Sequence, residues 1–269
     1  MGEPSPLRVA RDGPVAVVTM NRPEVHNAFD ETLIEALTRA FAELGRDLEV
    51  GAILLTGAGK SFSAGADVNW MRRAAAYTEE ENRADARRLA LMLETIDQCP
   101  KPVVARVHGA ALGGGTGLVA ACDIAIASER ASFGTTEVRL GLAAAVISPF
   151  VVRAIGPRQA RRFFLTGERI DAARALAIGL VHEVVPEAEL DGAVERILDE
   201  LLAGGPEAQA ASKELVRMVL AMPQGGSLLT EATVATIAAR RASAEGREGL
   251  AAFLEKRAPA WGRRRRSPA

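Results

Sequence analysis

The sequence is short of the residue types that announce several kinds of chemistry. Among 269 residues only 2 are cysteine and 3 are histidine. Cys99 and Cys122 are too few for a disulfide framework, and neither has the spacing or the histidine partners of a zinc site. A reducing, cytoplasmic setting without a bound metal is therefore expected. No stretch approaches the ~20 uninterrupted apolar residues of a membrane span, and the opening MGEPSPLRVARDG lacks the apolar core of a secretion signal. Excess charge is missing too: the net value of −1 argues against a whole-protein polyanion binder and leaves Arg263 to Arg266 as the one basic cluster. Such a tail is ordinarily solvated.

What is present is the composition of a folded protein, 48% hydrophobic and 25% charged. Three apolar, β-branched runs, Val15 to Met20, Ala52 to Thr56 and Val103 to Val107, are bounded by turn residues, and Asp123 to Ala127 reads alike. They show little polar alternation, as strands buried on both faces do, and helical patterns separate them, so the class is α/β. Asp30 is placed to cap a helix whose Ile34, Leu37, Phe41 and Leu44 share one face before Gly45 closes it. Thr78 and Glu81 form a capping box for a helix that buries Leu89, Met92, Leu93 and Ile96 and ends before Pro100. Beyond about residue 186 the strand signals stop. Amphipathic segments follow at roughly 188–203, 206–221, 227–244 and 246–256, the last carrying Leu250, Phe253 and Leu254.

Three stretches carry chemistry. Lys60-Ser61-Phe62-Ser63-Ala64-Gly65-Ala66-Asp67 follows a buried strand; its small residues let a ligand approach the backbone, and Asp67 is suited to cap the next helix. A plain strand-to-helix turn explains it equally well. His108-Gly109-Ala110-Ala111-Leu112-Gly113-Gly114-Gly115-Thr116-Gly117 follows another buried strand. Consecutive glycines opening a helix leave N–H groups unobstructed at its positive end, where a developing oxyanion would be stabilised. A tight turn needing glycine for packing is the alternative. Neither a dinucleotide fingerprint nor a P-loop is present, which favours a carbonyl oxygen over a phosphate. In Ser132 to Leu142, Glu137 lies among apolar and small residues, where a catalytic and a salt-bridged carboxylate compete. His108 lacks a local nucleophile and reads as a structural hydrogen-bonding residue, and Arg139 as a salt-bridge partner.

In that order and at those separations the three stretches resemble the crotonase (enoyl-CoA hydratase/isomerase) superfamily, and the resemblance runs from about Val15 to Trp261. Asn21-Arg22-Pro23 with Asn27-Ala28, Leu165 to Ile170 leading into Gly179-Leu180-Val181, and Phe253 to Arg257 support it. Gly65 to Met71, Ala121 to Ala127, and Glu137 to Leu142 followed by Val146-Ile147-Ser148-Pro149-Phe150 look most like bacterial 3-methylglutaconyl-CoA hydratase-type proteins of branched-chain catabolism. Isohexenylglutaconyl-CoA hydratases share much of that pattern.

The resemblance implies a ClpP-like spiral of ββα units over residues 1–200 and a C-terminal helical oligomerisation region over 201–269, assembled as trimers or dimers of trimers. It implies hydration of a 2-enoyl-CoA thioester, with the N–H groups of Ala66 and Gly114 as the oxyanion hole and Glu137 as the acid/base. Val25, Ala28, Ala64, Ala66 and Asp67 would line the coenzyme A groove, with Phe253 and Lys256 reaching the nucleotide portion, of a neighbouring subunit. No separate cofactor is implied, because coenzyme A arrives as part of the substrate.

Two departures stand out. Well-known hydratases carry a second glutamate at the position of Gly117, and two carboxylates divide the handling of water and of the α-proton. With one identifiable carboxylate, a Δ3,Δ2-enoyl-CoA isomerase, which needs a single shuttling base, is the alternative. Relatives often place a proline next to Leu142, where this chain has Ala143-Ala144-Ala145, so a fixed φ no longer restrains that wall. A crotonase-fold RNA-binding protein using Arg263 to Arg266 is a remote third reading, since four charges give mainly non-specific, salt-sensitive binding.

Overall fold

The structure, a computed structural model, describes residues 5–222 and 226–262. Arg263 to Arg266, on which the RNA reading depends, lie outside the described residues.

The frame is a six-stranded sheet. Its strands are β1 (Leu7–Asp12), β2 (Val15–Met20), β3 (Ala52–Gly57), β4 (Val103–Val107), β6 (Ile124–Ser128) and β9 (Glu183–Val185), paired in that order. β1 runs antiparallel to β2 and every later pair is parallel. Parallel neighbours need a crossover between them, supplied up to β6 by α1 (Glu31–Arg46), α2 (Val68–Ala74), α3 (Glu79–Asp97) and α4 (Gly114–Ala121), and from β6 to β9 by the helices at Ser148–Thr166 and Ala172–Ala177.

The missing polar alternation in the strands has a simple cause: both faces of the sheet are covered. Ala16, Val18, Ile53, Leu55, Val103, Ala105 and Ala125 enter one core with Leu37 and Phe41 of α1 and Met92 and Ile96 of α3. Their sequence neighbours Val15, Ala52, Val104 and Ile126 enter a second core. That one is closed by Leu190, Val194, Leu198 and Leu202 of α7 (Leu190–Ala203).

Asp30 accepts a hydrogen bond from Leu33 N, and Thr78 and Glu81 complete their capping box, so both expected helix starts are formed. Gly45 does not close α1, which continues to Arg46. A methyl group on Gly45 would stand 3.2 Å from Pro100 Cδ, so the glycine serves close packing instead.

A smaller three-stranded sheet joins β5 (Ala110–Leu112), β7 (Ser132–Gly134) and β8 (Ile170–Asp171). Two isolated bridges, Phe29 to Ala66 and Ser63 to Ala111, extend this ladder back through earlier segments. Successive turns of the chain are thereby stacked, each placing a strand end beside the previous one, as in the crotonase spiral. α5 (Ser148–Thr166), interrupted at Gly156, and α6 (Ala172–Ala177) flank the small sheet. The chain then ends in α8 (Pro206–Ala221), α9 (Ser227–Ala242) and α10 (Ala244–Leu254). α8 and α9 bury none of their described residues, but α8 is fastened to the core by Lys213, whose Nζ lies 2.6 Å from Asp123 Oδ2.

Candidate active site

The stacked ladder brings the three chemistry-bearing stretches side by side. Ser63 N donates to Ala110 O at 2.9 Å and Leu112 N to Ser63 O at 2.9 Å, while Gly113 N donates to Gly134 O at 2.7 Å. These bonds fix the turn at Gly65 against the turn at Gly113, and the turn at Gly113 against the segment leading to Glu137. Both glycines have left-handed backbones, φ 90° and 52°, which β-carbon-bearing residues rarely adopt. A methyl group on Gly65 would stand 2.8 Å from Leu112 O and 3.7 Å from Gly113 Cα, so the two turns touch.

At each turn one main-chain N–H is left over. Phe29 N donates to Gly65 O and Asp67 N to Phe29 O, so the N–H of Ala66 between them has no partner among the described residues. Gly114 opens α4 after Gly113, where the helix itself supplies no acceptor for the N–H. Its amide likewise has no partner among the described residues. Ala66 is exposed and Gly114 half-buried.

Glu137 opens a short 3-10 turn, Glu137–Leu140, closed by Gly141 at φ 74° and by the bond from Leu142 N to Glu137 O. A methyl group on Gly113 would stand 3.3 Å from Glu137 Oε1, which puts the carboxyl at the glycine turn. Its Oε2 is buried and has no hydrogen-bond partner. Burial pushes the Glu137 carboxyl above its ordinary pKa, opposed only by its own backbone N–H. Of the two readings open for Glu137, the structure excludes the salt-bridged one among the described residues. A carboxyl held half out of water, raised in pKa and adjoining two free amides is suited to moving a proton beside a polarised carbonyl.

The groove residues sort into two groups. Ala64 N donates to His26 O, and Phe29 pairs with Gly65 and Asp67, so Val25, Ala28, Ala64, Ala66 and Asp67 are brought together along one rim. Phe253, 80% exposed, and Lys256 lie at the end of α10, which packs on α8 and α9. No hydrogen bond or ion pair joins them to that rim among the described residues.

Asp67 caps α2, accepting from Asn69 N and Trp70 N. Burial raises its carboxyl, but those two N–H groups and Arg22 outweigh it and hold the group below the usual range. His108 is hydrogen-bonded through Nε2 to Gly59 O and through Nδ1 to Arg106, and burial lowers its pKa. Arg139 forms no ion pair among the described residues, contrary to expectation; its stem packs where a methyl group on Gly167 would fall, 3.1 Å away.

The position of the absent second glutamate is physically filled. A methyl group on Gly117 would stand 2.3 Å from Ile147 Cγ2 and 2.8 Å from Ile147 Cβ. The sequence shows Gly117 and Ile147 but not that they meet, because 30 residues separate them and only the packing of α4 against the start of α5 joins them. Among the described residues no group of three or more His, Cys, Asp or Glu side chains is arranged to hold a metal ion, and no helix is long and apolar enough to cross a membrane.

Known proteins resemble this chain over nearly its whole length. The family model described as enoyl-CoA hydratase/isomerase matches residues 10–264. A short-chain-enoyl-CoA hydratase from Clostridium acetobutylicum is 33% identical over 253 residues, covering 92% of this chain and 94% of the relative. A crotonyl-CoA hydratase from Syntrophomonas wolfei is 34% identical, covering 90% and 92%. The crystal structure of an enoyl-CoA hydratase from Shewanella pealeana superposes with a TM-score of 0.91 at 43% identity, covering 95% of this chain and 96% of that one.

Proposed function

The chain belongs to the enoyl-CoA hydratase/isomerase family, and from that membership we propose that it is an enoyl-CoA hydratase acting on a short, branched 2-enoyl-CoA of the 3-methylglutaconyl type. In this reading the thioester oxygen accepts hydrogen bonds from Ala66 N and Gly114 N. As charge builds on that oxygen the two donors strengthen, and removing one such donor costs roughly 3 kcal/mol of barrier. Glu137 exchanges a proton at the acyl chain, and the substrate's own distal carboxylate helps to orient water in place of a second glutamate. Coenzyme A arrives with the substrate, so no resident cofactor takes part.

The observation that carries the proposal is the unpaired Glu137 Oε2 on a carboxyl that abuts the Gly113 turn. Loss of enoyl-thioester absorbance is the direct assay, run with 3-methylglutaconyl-CoA and with crotonyl-CoA. General acid–base groups contribute about 10²–10⁴-fold, so Glu137→Gln is expected to lose at least about a hundredfold in kcat. An unchanged rate would remove this mechanism, and a preference for crotonyl-CoA would remove the branched dicarboxylic substrate.

A specific observation favours a second reading. Ile147 over Gly117 leaves an apolar surface where water-holding hydratases carry a carboxylate, and one base suffices to move a proton between two carbons of the acyl chain. For a Δ3,Δ2-enoyl-CoA isomerase the absorbance would rise with a 3-enoyl-CoA and stay flat with a 2-enoyl-CoA. Trimers, or dimers of trimers, in the cytoplasm complete the proposal: they would let Phe253 and Lys256 meet the nucleotide end of a coenzyme A bound to a neighbour.

A further inference from the structure

The loop that presents Ala66 N is exposed at its tip and must be held from behind. Besides the backbone bonds at Gly65 and Asp67, one side chain ties its flanks together. Arg22 Nη1 donates to Ala28 O at 2.5 Å, while Nη2 lies 3.0 Å from Asp67 Oδ2 and 2.9 Å from Asp30 Oδ2. Each acceptor has its own connection to the loop. Ala28 precedes Phe29, the residue that bridges to Ala66 through the bonds at Gly65 and Asp67. Asp67 follows Ala66 directly and caps α2. Asp30 caps α1 and follows the same Phe29.

We propose that Arg22 is the positioning residue of the oxyanion hole, holding the Ala66 amide in register with that of Gly114. The proposal rests on the assignment of those two amides to the thioester oxygen. No hydrogen bond or ion pair joins Arg22 to Ala66, Gly114 or Glu137 among the described residues, so it acts through the loop. The ion pairs are poorly screened, with side-chain exposures of 18% for Arg22 and 6% for Asp67. A planar fork is required, because three acceptors on two segments, Ala28 and Asp30 on one and Asp67 on the other, are reached from two nitrogens; the single ammonium of lysine does not offer that geometry. Arg22 is itself set from behind: its N–H donates to the side chain of Asn27, which is fully buried and donates in turn to Ala58 O and Ser61 O.

The test uses the full chain with Arg22→Lys and Arg22→Met. Three quantities are measured: kcat and KM, the melting temperature, and the red shift of an aryl-conjugated enoyl-CoA chromophore on binding, which reports polarisation of the thioester carbonyl. Loss of one donor lowers kcat by about 10²–10³-fold, so a displaced donor should cost Arg22→Lys roughly ten- to a hundredfold in kcat. KM is expected to stay within about threefold and the red shift to shrink. A merely structural role would lower the melting temperature alone, so wild-type kcat and red shift in a folded Arg22→Lys overturn the proposal while leaving the oxyanion hole intact. Absence of any red shift in the wild-type protein overturns the assignment of the hole and the role of Arg22 with it. If Arg22→Met fails to fold, Arg22→Lys, which keeps the charge, carries the comparison.

Discussion

Replacing Gly117 with alanine should change sign in its effect on stability according to what stands at position 147. Gly117 lies inside α4 and is buried, as is Ile147. Helix propensity alone favours alanine over glycine by about 1 kcal/mol. Against that, the new methyl group would fall 2.3 Å from Ile147 Cγ2 and 2.8 Å from its Cβ, with Ile147 Cα at 3.8 Å. Overpacking costs about 1–3 kcal/mol, and because both contacts are below 3 Å on a β-branched neighbour that cannot swing aside cheaply, the upper part of that range, about 2–3 kcal/mol, applies here. Packing therefore outweighs propensity, and Gly117→Ala is expected to destabilise by about 1–2 kcal/mol. In an Ile147→Gly background both short contacts vanish and only the Cα at 3.8 Å remains. There the same substitution should stabilise by up to about 1 kcal/mol. Denaturant unfolding of the four proteins at one fixed protein concentration closes the cycle, with an interaction energy of about 2–3 kcal/mol expected. Additivity within about 0.5 kcal/mol would refute the claim that Ile147 occupies the second carboxylate's place.

Glu137→Gln should be more stable than the wild type near neutral pH, because a buried carboxyl whose folded pKa is raised loses stability as it ionises. The folded state then holds its proton more tightly than the unfolded state. Stability is accordingly full below the unfolded value near ~4.3 and falls as pH rises through the folded value. The advantage of Gln should fade below about pH 4; a difference that is constant with pH in chemical denaturation would contradict it. Lys213→Met should destabilise by about 2 kcal/mol, less than the 3–5 of a fully buried pair, since the Asp123 side chain is 28% exposed. Burial already raises the Asp123 carboxyl against the pull of Lys213, so the loss should shrink in acid, where that carboxyl is neutral; an undiminished loss in acid would contradict this. Thr78→Ala removes one half of the capping box at the start of α3 and should cost about 1 kcal/mol in thermal unfolding with kcat unchanged; no loss of stability would show the cap to be idle.

The parts of this fold legible from sequence are those whose partners are close along the chain or repeated. Strands β2, β3, β4 and β6 show as unbroken apolar runs because two cores demand both faces, and the caps at Asp30 and Thr78 are local motifs. β1 leaves no apolar pattern to read because hardly any of it is buried on either face: Arg8, Val9, Ala10 and Arg11 are all exposed and only Leu7 is buried. The three-residue strands β5, β7 and β9 and the two-residue β8 are too short for any period to register. They exist because the spiral stacks them, and the same stacking makes the site.

That contrast explains which half of the site could be foreseen. A glycine run before a helix advertises unobstructed N–H groups by its composition, and the family resemblance singles out Gly114 among them. Arg22 and Ile147 are not marked in this way, since each acquires its role only when a distant segment arrives: Asp67 is 45 positions from Arg22, and Gly117 meets Ile147 only across the contact between α4 and α5. Glu137 lies between the two cases. Its residue type suggests chemistry, but its local sequence favours a structural ion pair, and what separates those readings is a missing partner. An unpaired, buried Oε2 is a property of everything around the residue. It can be seen only where the whole spiral has closed around it.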